Sequence, residues 1–401
     1  MDKPYRSSGV EVGDIFAKFG SAYRSKYSLP LSQLKAMRAI ERCRTKALGG
    51  HVDQCDNCGY ERISYNSCRN RHCPKCQFLT KEKWLMKRQQ DLLPISYFHV
   101  VFTIPDELKP LALVNQRLIY QILFQAASET LMDLANDPRH IGGQIGVIAV
   151  LHTWGQNLMD HLHLHCIVTG GGLAADGQQW VYPKKMTPNK DFFIHVNIIS
   201  DLFKKKFLAY VKQYYQTGQL KFAGKVEYLK DETEFKQLLN KLYAKKWVTY
   251  CKKPFGGVEH VLRYLGRYTH RVAISNHRIV KVEDGKVTFK WRDYRDNNET
   301  KLMTLDALEF IRRFLLHILP DRFYKIRYYG ILSNRNHQTK LALCKKLLEV
   351  AINWAEELKV SVGWEELLLE LTGIDVRQCP QCQQGRMVRK QVMIRCSHAP
   401  P

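Results

Sequence analysis

Apolar residues recur along this chain at two periods, and the places where the period changes mark its elements. Leu31, Leu34, Met37 and Ile40 sit at helical spacing and predict a short amphipathic helix over residues 29–48, stopping at Gly49-Gly50. A cysteine- and histidine-rich segment spans 43–76, and a basic helix over 80–93 runs into Pro94. From 95 to about 321 the two periods interleave. Strands are predicted over 97–104, 145–151, 162–169 and 179–182, and helices over 111–134, 192–215 and 257–272. Asp284-Gly285, set between alternating stretches at 278–283 and 286–292, is the strongest short-range hairpin signal in the chain. Two or three further helices close the pattern, and no internal repeat interrupts it. The expected class is α+β, an antiparallel sheet with helices on one side. Three units are expected: 1–93 with the cysteine-rich segment, 94–325 with the sheet, and a helical region over 326–401.

One predicted strand carries distinctive chemistry. Residues 161–165 read His-Leu-His-Leu-His. A strand's period of two projects His161, His163 and His165 from one face and Leu162, Leu164 and Cys166 from the other. Neutral imidazoles gathered on a rigid strand suit a divalent metal ion. The plainer reading, a solvated or hydrogen-bonded histidine row, accounts less well for three in register.

The cysteines add a second metal signal. Cys55-Asp-Asn-Cys58 and Cys73-Pro-Lys-Cys76 are two Cys-x-x-Cys knuckles, and four such thiolates are the usual donor set of a structural zinc ribbon. These four are expected to share one ion. His51, Cys68 and His72 lie in the same segment, with Cys43 just before it, and they leave the ligand choice open. Near the other end, Cys379-Pro-Gln-Cys382 with Cys396 and His398 forms a candidate second zinc set.

Charge narrows the partner. Lys and Arg number 62 against 38 Asp and Glu, a net +24, which favours a polyanion whose counterions are released on binding. Arg69, Arg71 and Lys75 in the cysteine-rich segment are candidate DNA contacts, as are Arg263, Arg267 and Arg271 further on. Residues 241–330 interleave Lys and Arg with Trp247, Phe255, Trp291, Tyr294, Phe323 and Tyr324, a pattern suited to single-stranded nucleic acid. The first residues lack the apolar core of a signal peptide, and runs such as 145–151 are too short to span a bilayer. A soluble, cytoplasmic protein without a membrane partner is expected, its thiols holding metal rather than forming disulfides.

Tyrosine supplies the remaining chemistry. Four Tyr-x-x-x-Tyr pairs occur: Tyr23/Tyr27, Tyr210/Tyr214, Tyr264/Tyr268 and Tyr324/Tyr328. Aromatic packing explains most of them. On the predicted helix 257–272, Val258, Val261, Leu262, Leu265 and Val272 form the buried stripe, and Tyr264 and Tyr268 flank it toward His260, Arg267 and Arg271. That position anchors a ring at the core edge with its hydroxyl toward a cationic surface; Tyr210/Tyr214, beside three lysines, is the rival pair.

Together these features resemble the two-tyrosine HUH transposases of the insertion-sequence-91 family. The resemblance rests on the ribbon from His51 to Gln77, on His152-Thr-Trp-Gly-Gln156, on the strand from His161 to Val168 with its following glycines, and on Tyr264-Leu-Gly-Arg-Tyr268. It runs over residues 20–385 or so. It implies an HUH-endonuclease-like sheet for the central unit, a zinc-binding N-terminal domain, and a rolling-circle enzyme of the bacterial cytoplasm and nucleoid. A His-hydrophobic-His pair would bind a catalytic Mg²⁺ or Mn²⁺, with His163 and His165 the favoured pair, and Tyr264 and Tyr268 would be the nucleophiles. The substrate would be single-stranded DNA at transposon ends, joined through a 5′-phosphotyrosine without ATP. One departure stands out: the family often has Pro between its first two histidines, where this chain has Leu162. His161 and His163 therefore satisfy the same rule, and His152 and Gln156 join the remaining strand histidine as candidates for the third ligand. The competing classes are a non-enzymatic zinc-ribbon regulator that binds nucleic acid and a plasmid replication or conjugation endonuclease of the HUH type.

Overall fold

Nine consecutive buried residues, Gly146–Trp154, form the strand around which the fold is organised. The structure is a computed structural model and describes residues 9–183, 193–255, 258–268, 272–293, 296–348 and 363–395. Its strands are β1 (Gly50–Cys55), β2 (Glu61–Tyr65), β3 (Tyr97–Thr103), β4 (Gly143–Gln144), β5 (Gly146–Trp154), β6 (Asp160–Thr169), β7 (Gly172–Ala174), β8 (Trp180–Val181), β9 (Thr249–Phe255), β10 (Ile279–Glu283), β11 (Lys286–Asp293), β12 (Glu299–Asp306), β13 (Ile326–Gly330) and β14 (Met387–Met393). Its helices begin with α1 (Val12–Lys26), α2 (Leu31–Glu41), α3 (Gln77–Gln89), α4 (Lys109–Val114) and α5 (Gln116–Asn136). They continue with α6 (Val196–Gln216), α7 (Glu232–Ala244), α8 (Val258–Tyr268) and α9 (Ala307–Leu316). Two more helices, Ala342–Leu347 and Trp364–Thr372, follow.

The central sheet runs β13-β5-β6-β3-β9, antiparallel at every step. Strand alternation gives it two dissimilar faces. Phe98, Val100 and Phe102 share one face with Leu164, Cys166 and Val168 and pack on the apolar sides of α5 and α6. On α6, Ile199, Phe203, Phe207 and Val211 recur every four residues, which makes the helix face the sheet along its length. On the opposite face Tyr97, Ile148, Val150 and Ile167 pack against Val261 and Leu265 of α8. Helices thus cover both faces, where the sequence pattern predicted one. Val261 and Leu265, the middle of the apolar stripe expected on this helix, are wholly buried there.

A second core lies beside the first. Val12, Ile15 and Phe16 of α1 and Met37 and Ile40 of α2 pack on α9 and on the meander β10-β11-β12. Phe16 meets Phe314 edge-on, ring centroids 5.2 Å apart. Asp284-Gly285 forms the predicted hairpin, with both residues at positive φ. The predicted helix over 29–48 ends earlier, at Glu41.

Two strands of the region expected to be helical join sheets built by earlier residues. β13 pairs with β5, and β14 pairs with β1 in a separate sheet of order β14-β1-β2. Gly330 ends β13 at φ +62°, and a Cβ there would meet the Ile145 carbonyl oxygen at 1.8 Å. Gly330→Ala should therefore lower stability by about 2 kcal/mol or more, measured by denaturant unfolding. A variant within about 0.5 kcal/mol of the native chain would show that β13 does not depend on this approach.

Candidate active site and cysteine centres

The buried face beneath α8 changes character along its length. Toward the β5–β6 hairpin the apolar residues give way to histidines. His163 on β6 lies opposite His152 on β5, and His165 lies two residues further along. Donor atoms of His152, His163 and His165 fall within 4.8 Å of one another, a set able to hold one metal ion. His161 is exposed and stands outside that set. The geometry thus groups His152, one of the candidates for the third ligand, with the favoured pair His163 and His165. Antiparallel pairing sets the His152 ring between the other two, centroids 5.3 Å from His163 and 4.6 Å from His165, whereas the His161 ring lies 4.8 Å from His163 on the side away from His165.

The nitrogen available on His163 follows from its neighbour. Its Nδ1 lies 2.7 Å from the His161 carbonyl oxygen, to which it donates, so Nε2 keeps the lone pair for an ion. Burial lowers the pKa of His163 to about 4, with the nearby His161 adding to the effect. A ligand that stays neutral at pH 7 does not have to lose a proton before binding.

Tyr264 comes down onto this cluster from α8. Its hydroxyl sits 2.6 Å from His99 Nε2 and 2.9 Å from His165 Nδ1, and those two nitrogens are 2.9 Å apart. The His99 and His165 rings stack nearly parallel, centroids 5.1 Å apart. His99 is lowered to about 3 by burial first, then by the Lys252 charge. Sequence reading missed His99. Its signal was present in the alternation of 97–104, which puts Tyr97, His99, Val101 and Thr103 on one face. Nothing in the sequence said which neighbouring strand that face would adjoin.

Three residues from the second core grip the tip of the β5–β6 hairpin. Arg278 Nη2 donates to the Gln156 carbonyl at 2.5 Å, Arg313 Nη1 to Asn157 at 3.2 Å, and His317 Nε2 to Leu158 at 3.0 Å. Thr153 Oγ1 donates in turn to His317 Nδ1 at 3.2 Å. His317 is 2% exposed, and burial lowers its pKa to about 4.

The other tyrosine pairs lie elsewhere. Tyr210 donates to Glu129 Oε2 at 2.5 Å on the far side of the sheet, and Tyr328 accepts from Trp84 Nε1 at 3.0 Å. Tyr268 closes α8, but its side chain lies outside the described residues, as do the Arg267 side chain, Arg271, Cys396 and His398.

The cysteines form two clusters of four, and neither is the set expected from the two knuckles. Cys43, Cys68, Cys73 and Cys76 make one; Cys55, Cys58, Cys379 and Cys382 make the other. The knuckles part company because the β1–β2 hairpin separates them and carries Cys55 and Cys58 away from the second core. In the first cluster Cys76 Sγ lies 3.5 Å from Cys43 Sγ and 3.6 Å from Cys68 Sγ. A tetrahedron with Zn–S bonds of about 2.3 Å has edges of about 3.8 Å, so these spacings suit a zinc ion and are far too long for a disulfide. Backbone N–H groups of Cys68 and Asn70 point at Cys43 Sγ and Cys68 Sγ, as thiolates require.

The candidate DNA contacts diverge. Arg71 gives its guanidinium to the carbonyls of Leu319, Pro320 and Phe323, which makes it a brace between the cysteine segment and the second core. Lys75 pairs with Glu11. Arg69 and Arg263 are exposed, and Arg69 lines an open recess of about 590 Å³ with Lys35, Arg38, Arg42 and Arg395. Of the aromatic residues in 241–330, Trp247 and Phe323 are core, whereas Tyr324 is 78% exposed.

Comparison with known proteins gives two family matches and two relatives. Residues 146–340 match the family described as "Putative transposase", and residues 15–104 match the "Transposase zinc-binding domain" family. The chain is 49% identical over 382 residues to "Putative transposase y4qJ" of Sinorhizobium fredii, covering 95% of each chain. It is 28% identical over 299 residues to "Transposase for insertion sequence element IS801" of Pseudomonas savastanoi pv. phaseolicola, covering 73% of this chain and 68% of that one. No solved structure matches. Among the described residues no helix is long and apolar enough to cross a membrane.

The buried histidines set an acid limit on stability. His317 is lowered from 6.5 to about 4 in the fold, so the unfolded chain binds the extra proton first. Its contribution is complete above about pH 6.5 and is lost as pH falls toward 4, a difference of up to about 3 kcal/mol. His317→Gln should flatten the curve of unfolding free energy against pH between about 4 and 6.5 relative to the native chain. An unchanged curve would mean that His317 takes up its proton without disturbing the hairpin tip.

Proposed function

We propose a mechanism from one premise: the chain belongs to the insertion-sequence-91 family of transposases. The reading is that it nicks and rejoins single-stranded DNA at the ends of its element, with Tyr264 as the first nucleophile. The observation that carries this is the Tyr264 hydroxyl at 2.6 and 2.9 Å from His99 and His165, directly beside the His152/His163/His165 set.

The donor set suits the proposed ion: neutral imidazoles, one of them oriented through its Nδ1, at a site reached from the exposed His161 end. Mg²⁺ or Mn²⁺ bound there would offset the charge that builds on the scissile phosphate. Everything else falls to the side chains. A phenol with an ordinary pKa near 10 is a weak nucleophile, so its placement matters. His99 and His165 fix the Tyr264 oxygen and restrict the directions from which it can attack. With its basicity depressed by burial, His99 acts here as an acceptor that orients the hydroxyl.

In the proposed step the Tyr264 oxygen bonds to phosphorus as the bond from phosphorus to the 3′ oxygen breaks. The phenol loses its proton, and the departing 3′ oxygen takes one up. The products are a 5′-phosphotyrosine and a free 3′-hydroxyl. One ester replaces another, so rejoining is the same step reversed and needs no ATP. Tyr268, one helical turn beyond Tyr264, is the proposed second nucleophile, which would let one chain hold two DNA ends in turn. The basic recess around Arg38, Arg42 and Arg69 and the exposed Tyr324 are the proposed path for the strand.

Incubation with end-labelled single strands carrying the element's ends and Mn²⁺ should give a covalent adduct. Tyr264→Phe should lower adduct formation at least about a hundredfold, and His163→Ala or His152→Ala about tenfold to a hundredfold. His161→Ala should cost much less. Undiminished adduct from Tyr264→Phe would remove this tyrosine from the chemistry. Equal losses from His161→Ala and His152→Ala would undo the cross-strand ligand set.

A further inference from the structure

The sheet β14-β1-β2 has almost nothing apolar to hold it together. None of the three apolar clusters among the described residues contains a residue of β1, β2 or β14. Val388, Val392 and Ile63, at 54%, 66% and 57% exposure, face outward, and β14 is exposed along nearly its whole length. Cys55 and Cys379, by contrast, are at 3% and 0% exposure, and Asp53 is buried beside them. A module with this composition has the signature of one that relies on a metal or a cross-link.

We propose that Cys55, Cys58, Cys379 and Cys382 bind a second structural zinc, formed jointly by the two ends of the chain. The pairs are separated by more than three hundred residues, yet they interdigitate. Cys55 Sγ lies 3.7 Å from Cys382 Sγ, and Cys58 Sγ lies 3.7 Å from Cys379 Sγ. Both distances match the edge of about 3.8 Å of a tetrahedral zinc–thiolate site and exclude a disulfide. Each knuckle also aims backbone N–H groups at its leading or closing sulfur. Asn57 N and Cys58 N point at Cys55 Sγ at 3.4 Å, and Gly385 N points at Cys382 Sγ at 3.3 Å. Donors of this kind stabilise negative sulfur.

The surroundings are built for a close approach of the two ends. A Cβ on Gly385 would stand 2.4 Å from Cys55 Sγ, so glycine is what lets the second knuckle close over the first. Arg386 N donates to Asp56 Oδ1 at 2.7 Å, and Asp56 N donates to the Arg386 carbonyl at 3.1 Å. Asp53 accepts from Arg389 Nε at 2.9 Å, and Lys390 pairs with Glu61 at 2.5 Å. The Lys390–Glu61 pair is a surface ion pair, which contributes little, and the remaining contacts are single hydrogen bonds and one ion pair at the half-exposed Arg389. The zinc is the dominant tie.

Two consequences follow. This site cannot be completed until residue 382 has been synthesised, whereas the Cys43/Cys68/Cys73/Cys76 site needs only the first 76 residues. Its ion also carries Arg395, just beyond β14, to the recess shared with Arg38 and Arg42, so the chain's last described residue joins a basic surface made by its first helices.

The test uses the full-length protein purified with zinc. Elemental analysis should give two zinc ions per chain. Cys379→Ser/Cys382→Ser and Cys55→Ser/Cys58→Ser should each give one, and the quadruple variant should also give one, because both pairs serve the same ion. Two ions retained by the Cys379→Ser/Cys382→Ser variant would overturn the proposal. So would a quadruple variant with none, which would return Cys55 and Cys58 to the Cys73/Cys76 ion. Should a variant fail to fold, thiol alkylation of the native protein read by mass spectrometry gives an independent answer. Cys55, Cys58, Cys379 and Cys382 should be protected together and lose protection together on chelation; separate loss of the two pairs would refute a shared ion.

Discussion

The candidate active site depends on how α8 lies across the sheet. Val261 and Leu265 bury against Tyr97, Ile148, Val150 and Ile167, and that apolar contact sets the height and rotation of the helix. Tyr264 follows from it. It sits between two buried anchors and at the edge of the stripe, so its ring descends where the face turns from aliphatic to histidine. Its hydroxyl then meets His99 and His165 at hydrogen-bonding distance. If the stripe shifted by one residue, the phenol would rotate by about 100° and miss the histidines entirely.

Precision on the sheet side comes from a different part of the molecule. The β5–β6 hairpin carries His152 and His163 near its tip, where an unsupported hairpin frays. Arg278, Arg313 and His317, all from the second core, take the tip's carbonyls. Arg71 ties the cysteine segment to the carbonyls just after α9. The N-terminal segment, the meander and the central sheet therefore act as one frame. Basic residues that composition alone assigns to DNA are partly spent on holding that frame together.

Much of this was legible in the sequence because it is local. The histidine strand, the Asp284-Gly285 hairpin, the tyrosine helix and the presence of cysteine–metal chemistry each need only a short window of periodicity or spacing. The mixed α/β class with antiparallel sheets follows from the same windows. His99 was not legible: a single histidine in a strand says nothing until the strand's neighbour is known. Nor was β14, whose residues Met387 to Met393 are mostly exposed and show no clean alternation of apolar and polar positions.

The two departures from expectation share a physical origin. Sequence reading gathered His161, His163 and His165 on one strand, with His152 and Gln156 as further candidates for the third ligand, and grouped Cys55 and Cys58 with Cys73 and Cys76, because proximity along the chain was the main measure available. In an antiparallel sheet the residue directly opposite is closer than the next residue of the same face on one's own strand, roughly 5 Å against 7 Å. By lying opposite them, His152 comes within reach of both His163 and His165, ring centroids 5.3 and 4.6 Å away. The cysteines follow the same rule: β14 lies alongside β1, so the knuckle just before it is nearer to Cys55 than the next knuckle in sequence. Donor type can be read from a sequence, but donor grouping is decided by which strands pair, and that pairing joins residues 11 apart across the β5–β6 hairpin in one case and residues more than three hundred apart in the other.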